Sequence, residues 1–280
     1  VADVSAADVA ALRKATGAGM MDCKTALTES GGDLEAAKDW LRTKGLAGAA
    51  KRAGRDAQQG AVGVLVHGGV GAIVELTAET DFVAKSSDFT DAVDGLAALA
   101  VEAGTEDLAE LEYEGGTVTE HVSGLAARLG EHVVVGRVIV FETADGVLEG
   151  YQHRQNDRGT IGVLVELGGV ADQDAARRVA HDVALHVASA APRYVTRAEV
   201  PADVIERERA VLEELTRNED KPEQAVPKIV EGRLNAVLKD TVLVDQPFVK
   251  EPKQTVGQVV SGLGPDATIR RFARVKVGED

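Results

Sequence analysis

What this sequence lacks narrows its chemistry at once. Cys23 is the only cysteine, so no intrachain disulfide can form. No apolar run approaches the roughly 20 residues that span a bilayer. The opening Val1-Ala2-Asp3 has neither the basic region nor the apolar stretch of a signal peptide, and a cytoplasmic protein is expected. Basic residues are outnumbered, 31 Lys and Arg against 46 Asp and Glu, for a net charge of -15. So acidic a surface repels phosphate backbones and anionic lipids, which argues against a general binder of nucleic acid or membrane. Familiar catalytic signatures are missing too: no Walker loop, no G-x-G-x-x-G and no G-x-S-x-G. His67-Gly68-Gly69 has the outline of an esterase oxyanion loop, but without a nucleophile elbow it reads as a hairpin turn. His181 and His186 fall at i, i+5 of one helix, roughly 140° apart, and cannot share a metal there. The carboxylates are many, and none stands out as half of an acid/base pair. Nothing in the residues argues for covalent chemistry, a metal or a cofactor.

What is present is an ordinary globular mixture, 44% hydrophobic and 28% charged over 280 residues, enough for two or three domains of about 100–200 residues each. Residues 1–45 read as three short helices. Ser5-x-x-Asp8 has capping-box spacing, Gly17 and Gly19 end the first helix, and Gly31-Gly32-Asp33 separates the second from the third. Met20 and Met21 are adjacent near the start of the second helix. Neighbours on a helix point about 100° apart, so both cannot face the centre of so small a bundle. Either one is exposed as a flexible binding group, or each packs against a different neighbour. Residues 46–59, rich in Ala and Gly, look like a partly helical linker whose Lys51, Arg52 and Arg55 form a solvated face.

From Gly60 the pattern turns to strands. Ala61–His67 and Val70–Thr77 flank a Gly68-Gly69 turn, and a helix with Phe89, Val93, Leu96, Ala97 and Ala100 on one side follows. Another amphipathic helix, through Val118, Val122, Leu125 and Leu129, leads to a strand over Val133–Thr143. Gly60-Ala61-Val62-Gly63-Val64-Leu65-Val66 recurs as Gly159-Thr160-Ile161-Gly162-Val163-Leu164-Val165. Two copies point to a duplicated α+β unit in which a small antiparallel sheet is covered by helices. The expected architecture is thus α+β: an N-terminal helical domain, core subdomains over 60–143 and over 144–200 with 241–280, and an antiparallel helical hairpin over 201–240, turning at Asp220-Lys221-Pro222. The hairpin either projects to bind another surface or packs against the core.

Thr80-Asp81-Phe82-Val83 lies between the second strand and a helix whose start is marked by Ser86-Ser87-Asp88. An aromatic beside a carboxylate is unusual in a chain that is 3% aromatic. Phe82 either caps a local core, with Asp81 a solvated turn residue, or both project from a corner.

Several long, ordered motifs run through the chain: Thr16-Gly17-Ala18-Gly19-Met20-Met21-Asp22-Cys23-Lys24-Thr25-Ala26-Leu27, Glu75-Leu76-Thr77-Ala78-Glu79-Thr80-Asp81-Phe82-Val83-Ala84-Lys85, His186-Val187-Ala188, Lys228-Ile229-Val230-Glu231-Gly232-Arg233, and Gln246-Pro247-Phe248-Val249 with Thr255-Val256-Gly257-Gln258. In these the sequence resembles the bacterial elongation factor Ts family over essentially the full length, in an actinobacterial-like form. The resemblance implies an N-terminal domain like a ubiquitin-associated module, two similar core subdomains and a dimerisation-type hairpin. It also implies a guanine-nucleotide exchange factor for elongation factor Tu, with no enzymatic chemistry. Phe82 would wedge into the partner's GTPase domain, Asp81 would help disturb its magnesium site, and Thr80 and Val83 would complete that corner. Leu12, Arg13, Met20 and Met21 would contact a helix of the same domain, and the region of His186 another domain. A homodimer or a two-plus-two complex with the partner is compatible with the hairpin. The residues depart from the family at Thr77, where Asn is usual and would brace the corner, and at Ser86, where Asn or Asp is common and Ser can cap as well. The sequence ends at Asp280, just after its last strand, so contacts made by the extra C-terminal helix of some relatives are not carried over. The residues alone leave two other classes open: a non-exchanging interaction or chaperone-like module, and an enzyme with an unrecognised carboxylate site.

Overall fold

In the computed structural model, which describes residues 4–219 and 222–279, the first helix starts as the Ser5–Asp8 spacing demands. The Ser5 hydroxyl accepts the Asp8 N–H at 3.1 Å while the Asp8 carboxylate reaches back to the Ser5 N–H at 3.3 Å. Helix α1 (Ala6–Thr16) ends at Gly17 in the left-handed conformation. It packs with α2 (Met20–Glu29) and α3 (Leu34–Arg52) around Val9, Leu12, Cys23, Ala26, Leu27 and Ala37. Helix α3 runs without a break through the stretch read as a partly helical linker and stops at Arg52.

Strands β1 (Gln59–His67) and β2 (Val70–Ala78) form the expected hairpin. A single turn, α4 (Asp81–Ala84), separates them from α5 (Ser87–Ala103). The acidic loop that follows carries a miniature hairpin, β3 (Glu112–Tyr113) and β4 (Gly116–Thr117), then α6 (Val118–Leu129) and β5 (Val134–Glu142). Strands β6 (Val147–Gln155) and β7 (Arg158–Gly168) and helix α7 (Gln173–Ala190) begin the second half. Next come α8 (Ala202–Arg217), α9 (Val226–Thr241), β8 (Pro247–Phe248), β9 (Glu251–Thr255), α10 (Val256–Ser261) and β10 (Thr268–Lys276).

The class is α+β, with antiparallel sheets ordered β1-β2-β5 and β10-β7-β6. The two sheets face each other across Val62, Ile73, Phe141, Leu148, Leu164, Ala273 and Val275. Helix α5 covers the outer side of the first sheet and α7 the outer side of the second. Both central strands, β2 and β7, are buried on two sides and therefore read as nearly continuous apolar runs.

The duplication is a hairpin, a helix and a returning strand, and it is offset by one strand from the echo in the sequence. The echo aligns β1 with β7, whereas the sheet orders make β2 the counterpart of β7 and β1 that of β6. The reason lies in packing. A β-carbon on Gly63 would stand 2.8 Å from the Val93 carbonyl oxygen of α5, and one on Gly162 would stand 2.6 Å from Val62 of the facing sheet. Each strand needs a glycine where something approaches closely, and the neighbour differs.

The hairpin of α8 and α9 closes on Leu212, Val226, Val230 and Leu234, while Val211 and Leu215 stay exposed. Of the turn read at Asp220-Lys221-Pro222, the first two residues lie outside the described residues. No helix of the described residues is long and apolar enough to cross a membrane, and no group of three His, Cys, Asp or Glu among them could hold a metal ion.

Candidate functional site

The corner after β2 is built from its ends inward. Thr80 caps α4, its hydroxyl accepting the Val83 N–H at 3.4 Å. Ala84 is fully buried, and Val83 packs on the same core beneath the first sheet. With that side of the turn anchored, the opposite side must face out, and Phe82 stands 83% exposed. So exposed a phenyl ring adds little to the stability of the fold.

Asp81 is paired with Lys85 one turn on. The Lys85 hydrogen bond holds the Asp81 carboxyl below the usual carboxylate range. Beside the pair opens a cleft of about 490 Å³ lined by Gln59, Glu79, Thr80, Asp81, Phe82, Lys85, Asn156 and Arg158. Arg158 comes from β7 of the other sheet, and its guanidinium donates to the Gly60 carbonyl at 2.8 Å. The corner therefore rests against both halves of the body.

Several residues that the sequence did not single out hold the corner. Glu131, just after α6, accepts both the N–H and the hydroxyl of Thr80, at 2.9 and 2.6 Å. Glu79 accepts the His132 N–H at 2.7 Å, which with the Arg55 contact lowers its pKa. Thr77, one of the positions where the sequence departs from the resemblance, makes only a long contact, 3.4 Å from its hydroxyl to the Val134 carbonyl. The bracing falls to Glu131 instead. Of the three linker cations, Lys51 is exposed as a solvated face requires. Arg52 instead donates to the Ala126 carbonyl at 3.1 Å, and Arg55 approaches Glu79 at 3.3 Å.

Among the N-terminal residues, Met20 and Met21 are both open, 60% and 71% exposed. With Val4, Val9, Ala10, Arg13, Lys14 and Lys24 they line a groove of about 690 Å³ between α1 and α2, apolar at its floor and basic at its rim. Leu12 is different. It is completely buried, at the centre of the bundle, and offers no surface of its own for the contact expected of it.

His186 is buried in the second core. Nε2 lies 2.8 Å from the Gln246 side-chain oxygen and Nδ1 accepts the Val249 N–H at 3.2 Å. Both ring nitrogens are engaged, so the surface at this point belongs to Val249, half exposed beside it. Burial pushes the His186 pKa below the ordinary imidazole value. The unfolded chain therefore binds its proton first as pH falls, and this part of the fold loses stability from about pH 6.5 downward. Amide protection at Val249 is expected to fall between about pH 7 and pH 5 in hydrogen exchange, and to lose that dependence in His186→Gln.

Known proteins resemble this sequence along nearly the whole chain. A family model described as "Elongation factor TS" matches residues 79–279, a span that takes in Thr80–Val83, Glu131 and His186. Curated proteins named elongation factor Ts align nearly end to end. The one from Micrococcus luteus is 47% identical over 99% of this chain and 100% of its own length. That from Arthrobacter sp. is 46% identical, again over 99% and 100%, and that from Rhodospirillum rubrum 42% over 100% and 94%. With the family model matching well over half of the chain and relatives aligned along nearly all of it, the chain belongs to the elongation factor Ts family.

Proposed function

We propose that this chain is a guanine-nucleotide exchange factor for elongation factor Tu, and that the Phe82 corner is the part that dislodges the nucleotide. The observation that carries the reading is a phenyl ring 83% exposed on a turn whose backbone is fixed by hydrogen bonds at Thr80. A GTPase holds its nucleotide largely through phosphate contacts and Mg²⁺. A stiff protrusion that fits the partner only when the magnesium site is disturbed must weaken nucleotide binding, and by linkage the nucleotide weakens the factor's binding equally. The factor changes a rate of release and makes or breaks no covalent bond.

Accelerating release about a thousandfold requires lowering the barrier by roughly 4 kcal/mol. One ring does not supply that alone. The groove holding Met20 and Met21 supports a second contact that keeps the partner in its disturbed state. Val211 and Leu215, exposed on α8, support the hairpin as a surface for self-association, giving a homodimer or a two-plus-two complex.

Stopped-flow release of a labelled GDP from elongation factor Tu, with and without the chain, tests the proposal. An exchange factor accelerates release; a module that only binds, the reading the apolar groove would otherwise favour, associates and leaves the rate unchanged. Within this assay the double substitution Met20→Ala, Met21→Ala is expected to raise the concentration for half-maximal acceleration by about tenfold, the loss of two exposed apolar anchors. The maximal rate should stay close to the original. A fall in the maximal rate with no change in that concentration would assign the groove a different part.

A further inference from the structure

We propose that Glu131 is a positioning residue for Phe82, acting through Thr80; the inference rests on the exchange reading above. Both oxygens of its carboxylate are committed to a single residue 51 positions away, Oε2 taking the Thr80 N–H at 2.9 Å and Oε1 the Thr80 hydroxyl at 2.6 Å. A hydroxyl has one proton. With that proton given to Glu131, the Thr80 oxygen is left as an acceptor facing the Val83 N–H, the bond that caps α4. Glu131 therefore fixes the direction of the cap, and with it the turn on which Phe82 stands. Hydrogen bonds to a carboxylate are about twice as strong as those between neutral groups, which suits a protrusion that must push without yielding.

The tie is reciprocal. While Glu131 takes the two Thr80 donors, Glu79 takes the N–H of His132, and the His132 ring meets the Arg55 carbonyl at 2.8 Å. Adjacent residues on two segments thus exchange carboxylates, and the joint resists rotation as one hydrogen bond would not. The connection from α6 to β5 does not itself require this charge. Gly130 makes the turn with a positive φ of 75° and Val133 anchors it in the core at 5% exposure. Between them, Glu131 turns both carboxylate oxygens to Thr80, on the far segment, and neither to α6.

The base of the clamp is also the helix on which the N-terminal domain rests. Arg52 of α3 donates to the Ala126 carbonyl at 3.1 Å, four residues before the turn. A load taken by α3 in a complex would reach α6 close to Glu131.

Glu131→Ala, Glu131→Gln and Thr80→Val in the full chain test the inference in two assays. In hydrogen exchange without any partner, Glu131→Ala should raise exchange at residues 80–83 by about tenfold or more and leave β2 and α5 protected. In GDP release, its maximal rate should fall by about five- to twentyfold, with the half-saturating concentration changed less than about twofold, the split expected when a group matters only in the transition state. Thr80→Val should follow it. Glu131→Gln should recover only part of both, because its amide oxygen can still accept the Thr80 N–H while its amide N–H faces the hydroxyl as a donor and no longer takes that proton.

Unchanged exchange at residues 80–83 together with an unchanged maximal rate in Glu131→Ala overturns the proposal. So does a Glu131→Gln protein that is folded and as slow as the alanine variant. Should Glu131→Ala loosen β2 and α5 as well, Thr80→Val decides: normal release from it ends the proposal. If the unsubstituted chain fails to accelerate release, the exchange reading falls, and partner-free hydrogen exchange still decides whether Glu131 holds the corner.

Discussion

Replacing Phe82 with alanine is expected to slow the maximal rate of GDP release by about ten- to a hundredfold, a loss of roughly 1.4–2.7 kcal/mol of barrier lowering. The magnitude comes from the ring itself. Fully burying a phenylalanine side chain is worth about 1.5–3 kcal/mol relative to leaving it in water, and in the free protein Phe82 gains almost none of it, being 83% exposed. On the exchange reading proposed above, that burial energy is gained on the partner. If the ring is buried more deeply as the nucleotide leaves than in the initial complex, its loss falls on the rate and not on the affinity. For the same reason the substitution should leave the folded chain as stable as before, within about 0.5 kcal/mol by thermal or denaturant unfolding. A control is Leu65→Ala on β1, an exposed hydrophobic residue that is 39% open and far from this chemistry in role; its rate should not change. Equal slowing in both variants would remove Phe82 from the mechanism, since any apolar surface would then serve.

Much of the scaffold behind that ring is legible because it depends on neighbours in sequence. The Gly68-Gly69 turn and its flanking strands, the Ser5–Asp8 cap, and the face of α5 through Phe89, Val93 and Leu96 all follow from spacings of a few residues. The continuation of α3 to Arg52 does not. Gly45 and Gly48 weaken the helical pattern, yet a β-carbon on Gly45 would come within 2.6 Å of Ala127, so the glycine that argues against a helix locally is what lets α3 lie on α6. Propensity is overridden by contact.

The same distinction separates the two parts of the site. Phe82 could be suspected from its rarity and its place at the end of a strand, and Met20 and Met21 from the impossibility of hiding both. Glu131 could not. It is one of 46 acidic residues, its partner is 51 positions upstream, and only the return of β5 alongside β2 brings them together. Arg158, arriving from the opposite sheet, was hidden in the same way. Leu12 and His186 show the converse. The resemblance places both in regions expected to meet a partner, whereas both are buried, Leu12 in the core of the bundle and His186 behind Val249.

Leu12→Ala is accordingly expected to be the most destabilising of these substitutions for the N-terminal bundle, by about 2–5 kcal/mol. Leu12 has no exposed surface and sits among Val9, Cys23, Ala26, Leu27 and Ala37. A core so small gives its domain little stability to lose, and few neighbours are at hand to fill the cavity. Protection of the amides of α1 and α2 should therefore fall nearly to that of an unfolded chain in hydrogen exchange. The two sheets have separate cores, and their amides should remain protected. Arg13→Ala, one residue on and pointing into solvent, should change stability by less than about 0.5 kcal/mol. The functional consequence follows from the division of labour. With its groove melted the chain should need a far higher concentration to act on the partner, whereas the maximal release rate should persist, because Thr80 and Phe82 are held from Glu131 and not from α1 or α2. A Leu12→Ala protein that keeps its bundle protected but binds the partner weakly would mean that Leu12 touches the partner directly, and that the bundle opens to expose it.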